Sequence, residues 1–171
     1  PVVDNAALVS ELEKGRLQAV LDVWEHEPKI DIELLQRVQI GTAHVAGQTL
    51  EARARGACTV FRSCCRHLGV EPAWSAPKLP QPGTMRFPAG ATELEEQLYD
   101  LVGQAYDIEE DDRMLRVLAN FTEAQRIERF HQLRRTSVHH EFSSFGVDLP
   151  DESPLVHACR SLGFQILGSG A

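Results

Sequence analysis

Apolar and polar positions change period several times along the chain, and each change marks an element. Asp4 stands before Leu8 and Leu12 at helical spacing, with Gly15 beyond them, which predicts a capped helix stopped by glycine. Ala19-Val20-Leu21 is a continuous apolar run ending in Asp22, the pattern of a short strand buried on both faces of a parallel sheet. Asp31 caps a second short helix carrying Leu34 and Leu35, and Val38-Gln39-Ile40 reads as the next strand. Small and polar residues fill 41–48. Leu50, Ala54, Ala57, Cys58, Phe61, Cys65 and Leu68 then fall on one stripe of a helical period, closed by Gly69, and predict a long helix. Arg53, Arg55, Arg62 and Arg66 lie mostly off that stripe, as a solvated face would place them.

The pattern breaks after this helix. Five of the nine prolines (Pro72, Pro77, Pro80, Pro82 and Pro88) crowd into 71–90, a stretch that can be neither a helix nor a central strand. It marks a linker between a first part, 1–70, and a second, 91–171. Residues 84–87 predict an edge strand. Leu94, Leu98, Leu101 and Val102 mark a helix, Met114, Leu115 and Leu118 a second, and Ile127, Phe130 and Leu133 a third. The acidic run at 109–112 reads as a solvated turn. Strands over 141–149 and 164–167, with a helix over 154–162 between them, complete an expected antiparallel α+β unit. Overall the pattern predicts an α/β class: the C-terminal part of a doubly wound parallel, Rossmann-like sheet, followed by a separate α+β domain.

Composition narrows the function. The 171 residues carry 17 Lys+Arg against 25 Asp+Glu, a net charge of −8. Most of the excess lies in 91–171, where 7 basic residues face 15 acidic ones. Such a chain offers no electrostatic footprint for nucleic acid or an anionic membrane surface, and no apolar run approaches the roughly 18–20 residues that span a bilayer. Cys58, Cys64, Cys65 and Cys159 form no disulfide framework and no zinc-ligand pairing, so reduced thiols, no metal and a cytoplasmic setting are expected. Pro1-Val2-Val3-Asp4 lacks the features of a signal peptide and reads as a cut into the middle of a longer protein.

Two clusters could carry chemistry. Leu21-Asp22-Val23-Trp24-Glu25-His26-Glu27-Pro28 lies at the carboxyl end of the first predicted strand, and Gly41-Thr42-Ala43-His44-Val45-Ala46-Gly47 lies just past the second. In open parallel sheets ligands bind beyond the carboxyl ends of the strands, so both clusters would line one crevice. A carboxylate facing an imidazole there fixes its tautomer and stabilises the imidazolium, equipping the ring as an acid or base. Taken singly, His44 reads as readily as a structural histidine and Asp22 as a turn cap. His26, His131, His140 and His157 read as surface or helix-flank residues.

Leu-Asp-Val-Trp-x-x-Glu-Pro followed, 20 residues after its start, by Gly-Thr-x-His-x-Ala-Gly resembles the NAD-dependent D-2-hydroxyacid dehydrogenases. Within that family the likeness is nearest to the branch that oxidises a phosphorylated four-carbon 2-hydroxy acid in vitamin B6 biosynthesis. Gly47-Gln48-Thr49-Leu50-Glu51-Ala52-Arg53-Ala54-Arg55-Gly56 supports it. So do Ala105-Tyr106-Asp107, Asp111-Asp112, Phe130-His131-Gln132-Leu133-Arg134 and Glu141-Phe142, which are similar to a C-terminal dimerisation domain. The resemblance implies that His44 is the general acid/base and Glu27 its partner. It implies NAD as cofactor, contacted by Asp22 and Gly47, a phosphorylated 2-hydroxy acid as substrate, and a homodimer formed through 91–171. Gln48 stands where a tyrosine near the substrate is usual, and His139-His140 stand where arginines are expected. The family's carboxylate-binding arginine falls just before the position of Pro1 and its Gly-x-Gly-x-x-Gly loop further upstream, so the chain is expected to be the C-terminal half of such an enzyme, inactive alone. Another family substrate, such as phosphoglycerate, and a non-catalytic dimerisation module remain the alternatives.

Overall fold

A computed structural model describes residues 3–86 and 93–168. Along the chain run helix α1 (Asn5–Glu13), strand β1 (Val20–Leu21), α2 (Ile32–Arg37), β2 (Ile40–Gly41), α3 (Leu50–Leu68), β3 (Met85–Arg86), α4 (Leu94–Ala105), α5 (Ile108–Arg116), α6 (Glu123–Thr136), β4 (Gly146–Asp148), α7 (Leu155–Leu162) and β5 (Gln165–Ile166). The class is mixed α/β with parallel strands, as the pattern predicts. Phe87 and Pro88 lie outside the described residues.

These elements gather into two compact units that interleave along the sequence. Among the described residues, those up to 46 join 107–137, and 47–106 join those from 138 onward. The chain is therefore cut differently from the expected 1–70, 71–90 and 91–171. The reason is apolar burial. Leu115, Leu118 and Phe130 are almost wholly buried in one cluster with Trp24, Leu34, Leu35 and Val38, so 107–137 complete the first core. Residues 70–84 carry no helix or strand.

In the first unit, local signals act as the sequence predicts. The Asp4 carboxylate accepts from the Ala7 N–H, and that of Asp31 from the N–H groups of Glu33 and Leu34. Strands β1 and β2 pair in parallel, Val20 opposite Ile40 and Leu21 opposite Gly41. Strand β1 is not buried on both faces as expected: Val20 is 58% exposed, because β2 is the sole partner of β1 among the described residues. The acidic run is not a solvated turn either. It forms the first turns of α5, capped by Asp107, where negative charge complements the helix dipole. Its last member turns inward: Asp112 Oδ1 accepts from the Gly41 N–H at 2.7 Å.

The second unit holds a three-stranded sheet in the order β3-β4-β5, parallel throughout. This corrects the antiparallel expectation. Helix α7 carries the chain from β4 back to the start of β5, and a helical crossover delivers a parallel neighbour. Its core contains Met85, Leu101, Phe145, Val147, Leu155, Cys159 and Phe164. Cys65 is the one side chain of α3 that is buried; Leu50, Ala54, Cys58 and Phe61 of its apolar stripe are half-buried, and Ala57 and Leu68 are exposed. All four cysteines are free, and burial pushes the Cys159 thiol up.

Glu51, in the first turn of α3, ties the segment 140–144 to this helix. It accepts from His140 Nδ1 at 2.7 Å, the Glu141 N–H at 3.0 Å and the Ser144 hydroxyl. His140 is therefore half-buried and paired rather than a surface residue. Burial alone would raise the Glu51 pKa, but the donors from Ser144, His140 and Glu141 outweigh it and hold the carboxyl at about 2.

Two outcomes follow. A Cβ at Gly41 would lie 2.8 Å from Leu35 Cδ1 and 2.9 Å from Trp24 Cζ2, both buried, so Gly41→Ala destabilises the first unit by about 1–3 kcal/mol. An unchanged melting temperature contradicts that packing. Because the folded Glu51 pKa lies below its unfolded value, its contribution is complete above about pH 5 and is lost as pH falls towards 2. Urea midpoints measured across that range decline more steeply for the native chain than for Glu51→Gln; parallel declines refute the assignment.

Candidate active site

The sharp feature of the first unit is the loop that leaves β2. Thr42 N–H donates to Leu21 O and His44 N–H to Asp22 O, both at 2.9 Å, carrying the pairing of the two strands past their ends. Asp22 then turns its carboxylate on the same loop. Oδ1 accepts from the Thr42 hydroxyl at 2.6 Å and the Val45 N–H at 2.7 Å, and Oδ2 accepts from the Ala46 N–H at 3.1 Å. Trp24, buried beneath, donates its indole N–H to Thr42 O at 2.9 Å. Every atom of this cage comes from the two strand ends that the sequence pairs.

The cage holds His44 in a backbone conformation it would not choose. Its φ is +55°, in the left-handed region that residues with a Cβ seldom occupy. Such conformations persist where surrounding bonds over-determine them, and they concentrate at functional positions. His26 shares the feature at φ +59°, yet its side chain is exposed, as the sequence predicts.

This backbone brings His44 to Glu27. His44 Nδ1 lies 2.8 Å from Glu27 Oε2, while Glu27 Oε1 accepts from the Trp24 N–H at 2.8 Å. Both carboxylate oxygens are thus engaged, and the carboxylate is fixed. A carboxylate offers only acceptors, so the proton of the neutral ring sits on Nδ1 and Nε2 keeps its lone pair. The histidine side chain is one-third exposed, that of Glu27 less than one-fifth. A proton acceptor that is oriented from behind and open in front is an arrangement for general acid–base chemistry.

The remaining candidates are placed differently. Asp22 spends at least three acceptor positions on the loop. Gly47 has φ +74°, which glycine adopts without strain, and Gln48 accepts from the Arg53 guanidinium at 2.8 Å; both belong to the second unit. Thr42, which donates to Asp22, stands in the Gly-Thr-x-His run that the sequence offers but was given no role of its own there. Among the described residues no group of acidic, cysteine and histidine side chains could hold a metal ion, and no helix is long and apolar enough to cross a membrane.

Known proteins align with nearly the whole chain. The erythronate-4-phosphate dehydrogenase of Serratia proteamaculans is 43% identical over 166 residues, 95% of the chain. Those of Cronobacter sakazakii and Sodalis glossinidius are 42% and 44% identical over 168 and 167 residues, 96% of the chain in each case. The chain is a homologue of the erythronate-4-phosphate dehydrogenases. It spans 43% of the length of each of these three relatives. No protein-family model matches it. Erythronate-4-phosphate dehydrogenases are by name oxidoreductases.

The ring geometry has a direct readout. Glu27→Ala removes the acceptor from Nδ1, and the His44 ring loses its Nδ1–H preference in long-range proton–nitrogen NMR spectra. Glu27→Gln, whose single amide oxygen cannot accept from both Trp24 and His44, weakens it less than Glu27→Ala does. A ring pattern unaltered by Glu27→Ala contradicts the pairing.

Proposed function

We propose that this chain forms the C-terminal half of an NAD-dependent dehydrogenase that oxidises 4-phospho-D-erythronate at its 2-hydroxyl to the 2-oxo acid, a step of pyridoxal phosphate biosynthesis. The His44–Glu27 pair is the observation that carries this reading, and the likeness to named erythronate-4-phosphate dehydrogenases supports the substrate. His44 Nε2 accepts the hydroxyl proton, and Glu27 stabilises the imidazolium that results. NAD, when bound, supplies the hydride acceptor. Asp22 fits one end of that cofactor: its Oδ2 takes one hydrogen bond from the loop and retains acceptor capacity for an amide N–H. The resemblance assigns Gly47 a backbone contact to it as well. Nothing in the chain matches the Gly-x-Gly-x-x-Gly signature that cradles a pyrophosphate, so the phosphate end depends on residues outside it. Gln48 contributes to substrate contact, and residues 91–171 to a homodimer.

The chain supplied with the remaining residues of the Serratia proteamaculans relative, as a chimera, tests this reading. The chimera reduces NAD with 4-phospho-D-erythronate in preference to 3-phosphoglycerate, and His44→Gln lowers kcat by about a hundredfold to ten-thousandfold. The 171-residue chain alone gives no heat of micromolar NAD binding. A chimera that folds and turns over neither acid, or a His44→Gln variant of undiminished kcat, contradicts the proposal.

A further inference from the structure

Five of the six amides over 41–46 have identified acceptors, and four of those acceptors lie on Leu21 or Asp22. The fifth comes from far along the chain: the Gly41 N–H donates to Asp112 Oδ1 on α5 at 2.7 Å. The Asp112 side chain is mostly buried, and its second oxygen takes Arg116 Nε at 2.7 Å, one helical turn on. The same guanidinium donates to the carbonyls of Leu35 at 2.7 Å, Val38 at 2.9 Å and Gln39 at 3.2 Å. These are the orphan carbonyls at the end of α2 and the entry to β2, which an arginine fork is shaped to collect. One Asp–Arg unit therefore grips β2 at its start, through three carbonyls, and at its end, through the amide three residues before His44.

We infer that Asp112, held by Arg116, is a positioning residue for His44: it fixes the end of β2 on the side away from Asp22, so that the loop is pinned from both flanks. The inference rests on reading His44 as the proton-transfer residue, but the position of the ring is measurable without turnover. Gly41 has no side chain through which α5 could act, so the coupling runs through its backbone N–H. Asp112→Asn keeps one oxygen for that N–H but turns an amide donor on Arg116, and Asp112→Ala keeps neither contact; Arg116→Lys keeps a cation but loses the fork.

Amide exchange and ring NMR of the full 171-residue chain test the inference. In Asp112→Ala the Gly41 amide exchanges about tenfold faster or more, and the His44 Nδ1–H signal that reports the bond to Glu27 weakens or vanishes. Asp112→Asn and Arg116→Lys, each of which breaks part of the unit, fall between the native chain and Asp112→Ala on both readouts. Lower thermal stability in Asp112→Ala with His44 signals at their native positions overturns the inference, because a purely structural contact would behave so. If Asp112→Ala does not fold, Asp112→Asn and Arg116→Lys decide. Gly41 exchange faster than native in both, with the His44 Nδ1–H signal weakened in step, supports the clamp; native Gly41 protection or a native His44 signal in both opposes it. Loss of the dehydrogenase reading would appear separately, as an inactive chimera with an intact His44 ring pattern.

Discussion

The carboxylate of Asp22 is the constraint on which the site depends. It closes a loop of five residues by taking two backbone N–H groups and one hydroxyl, and within that closure His44 is held at positive φ. Charge-assisted bonds of this kind are roughly twice as strong as neutral ones, and three converge on a single side chain. Without them the left-handed backbone has no compensation, and the ring has no reason to meet Glu27. Trp24 supports both sides of the pair: its indole N–H holds the loop at Thr42, and its backbone N–H holds the carboxylate of Glu27. The His44–Glu27 geometry is thus built from hydrogen bonds within the chain itself.

The two units divide the work of the chain. The first builds the site on short parallel strands and completes its core with α5 and α6. Packing there is tight enough that Gly41 has no room for a methyl group. The second builds its own parallel sheet and ties α3 to the segment 140–144 through Glu51, whose low pKa reflects donors arriving from three residues. Arg55 adds to this tie by donating to Glu141, which also takes the Thr49 hydroxyl. The half-buried stripe of α3, with Cys65 its one fully buried member, shows that amphipathic periodicity predicts where a helix forms without telling how completely it is covered.

The local grammar of the sequence predicted most elements. Asp4, Asp31, Gly15 and Gly69 mark the helix ends they promise, and the order of Asp22, Glu27 and His44 beyond two strand ends pointed to the meeting of His44 with Glu27. Three matters lay beyond such reading. Direction of pairing in the second sheet depends on which connection crosses over, and alternation along a strand is the same for either direction. The interleaving of the units depends on Leu115, Leu118 and Phe130 choosing one apolar core over another, a choice made in three dimensions. The inward contact of Asp112 with Gly41 was obscured by its three acidic neighbours, although the Arg116 four residues later was a visible hint that this carboxylate was not free in solvent.

The central claim is that His44, oriented by Glu27 and held by the Asp22 loop, faces the reacting hydroxyl. A crystal structure of the chimera with NAD and 4-phospho-D-erythronate tests it most directly. The account predicts His44 Nε2 within about 3.2 Å of the substrate 2-hydroxyl, with Nδ1 still on Glu27. A substrate whose 2-hydroxyl lies out of reach of this ring and on a different proton acceptor would contradict it.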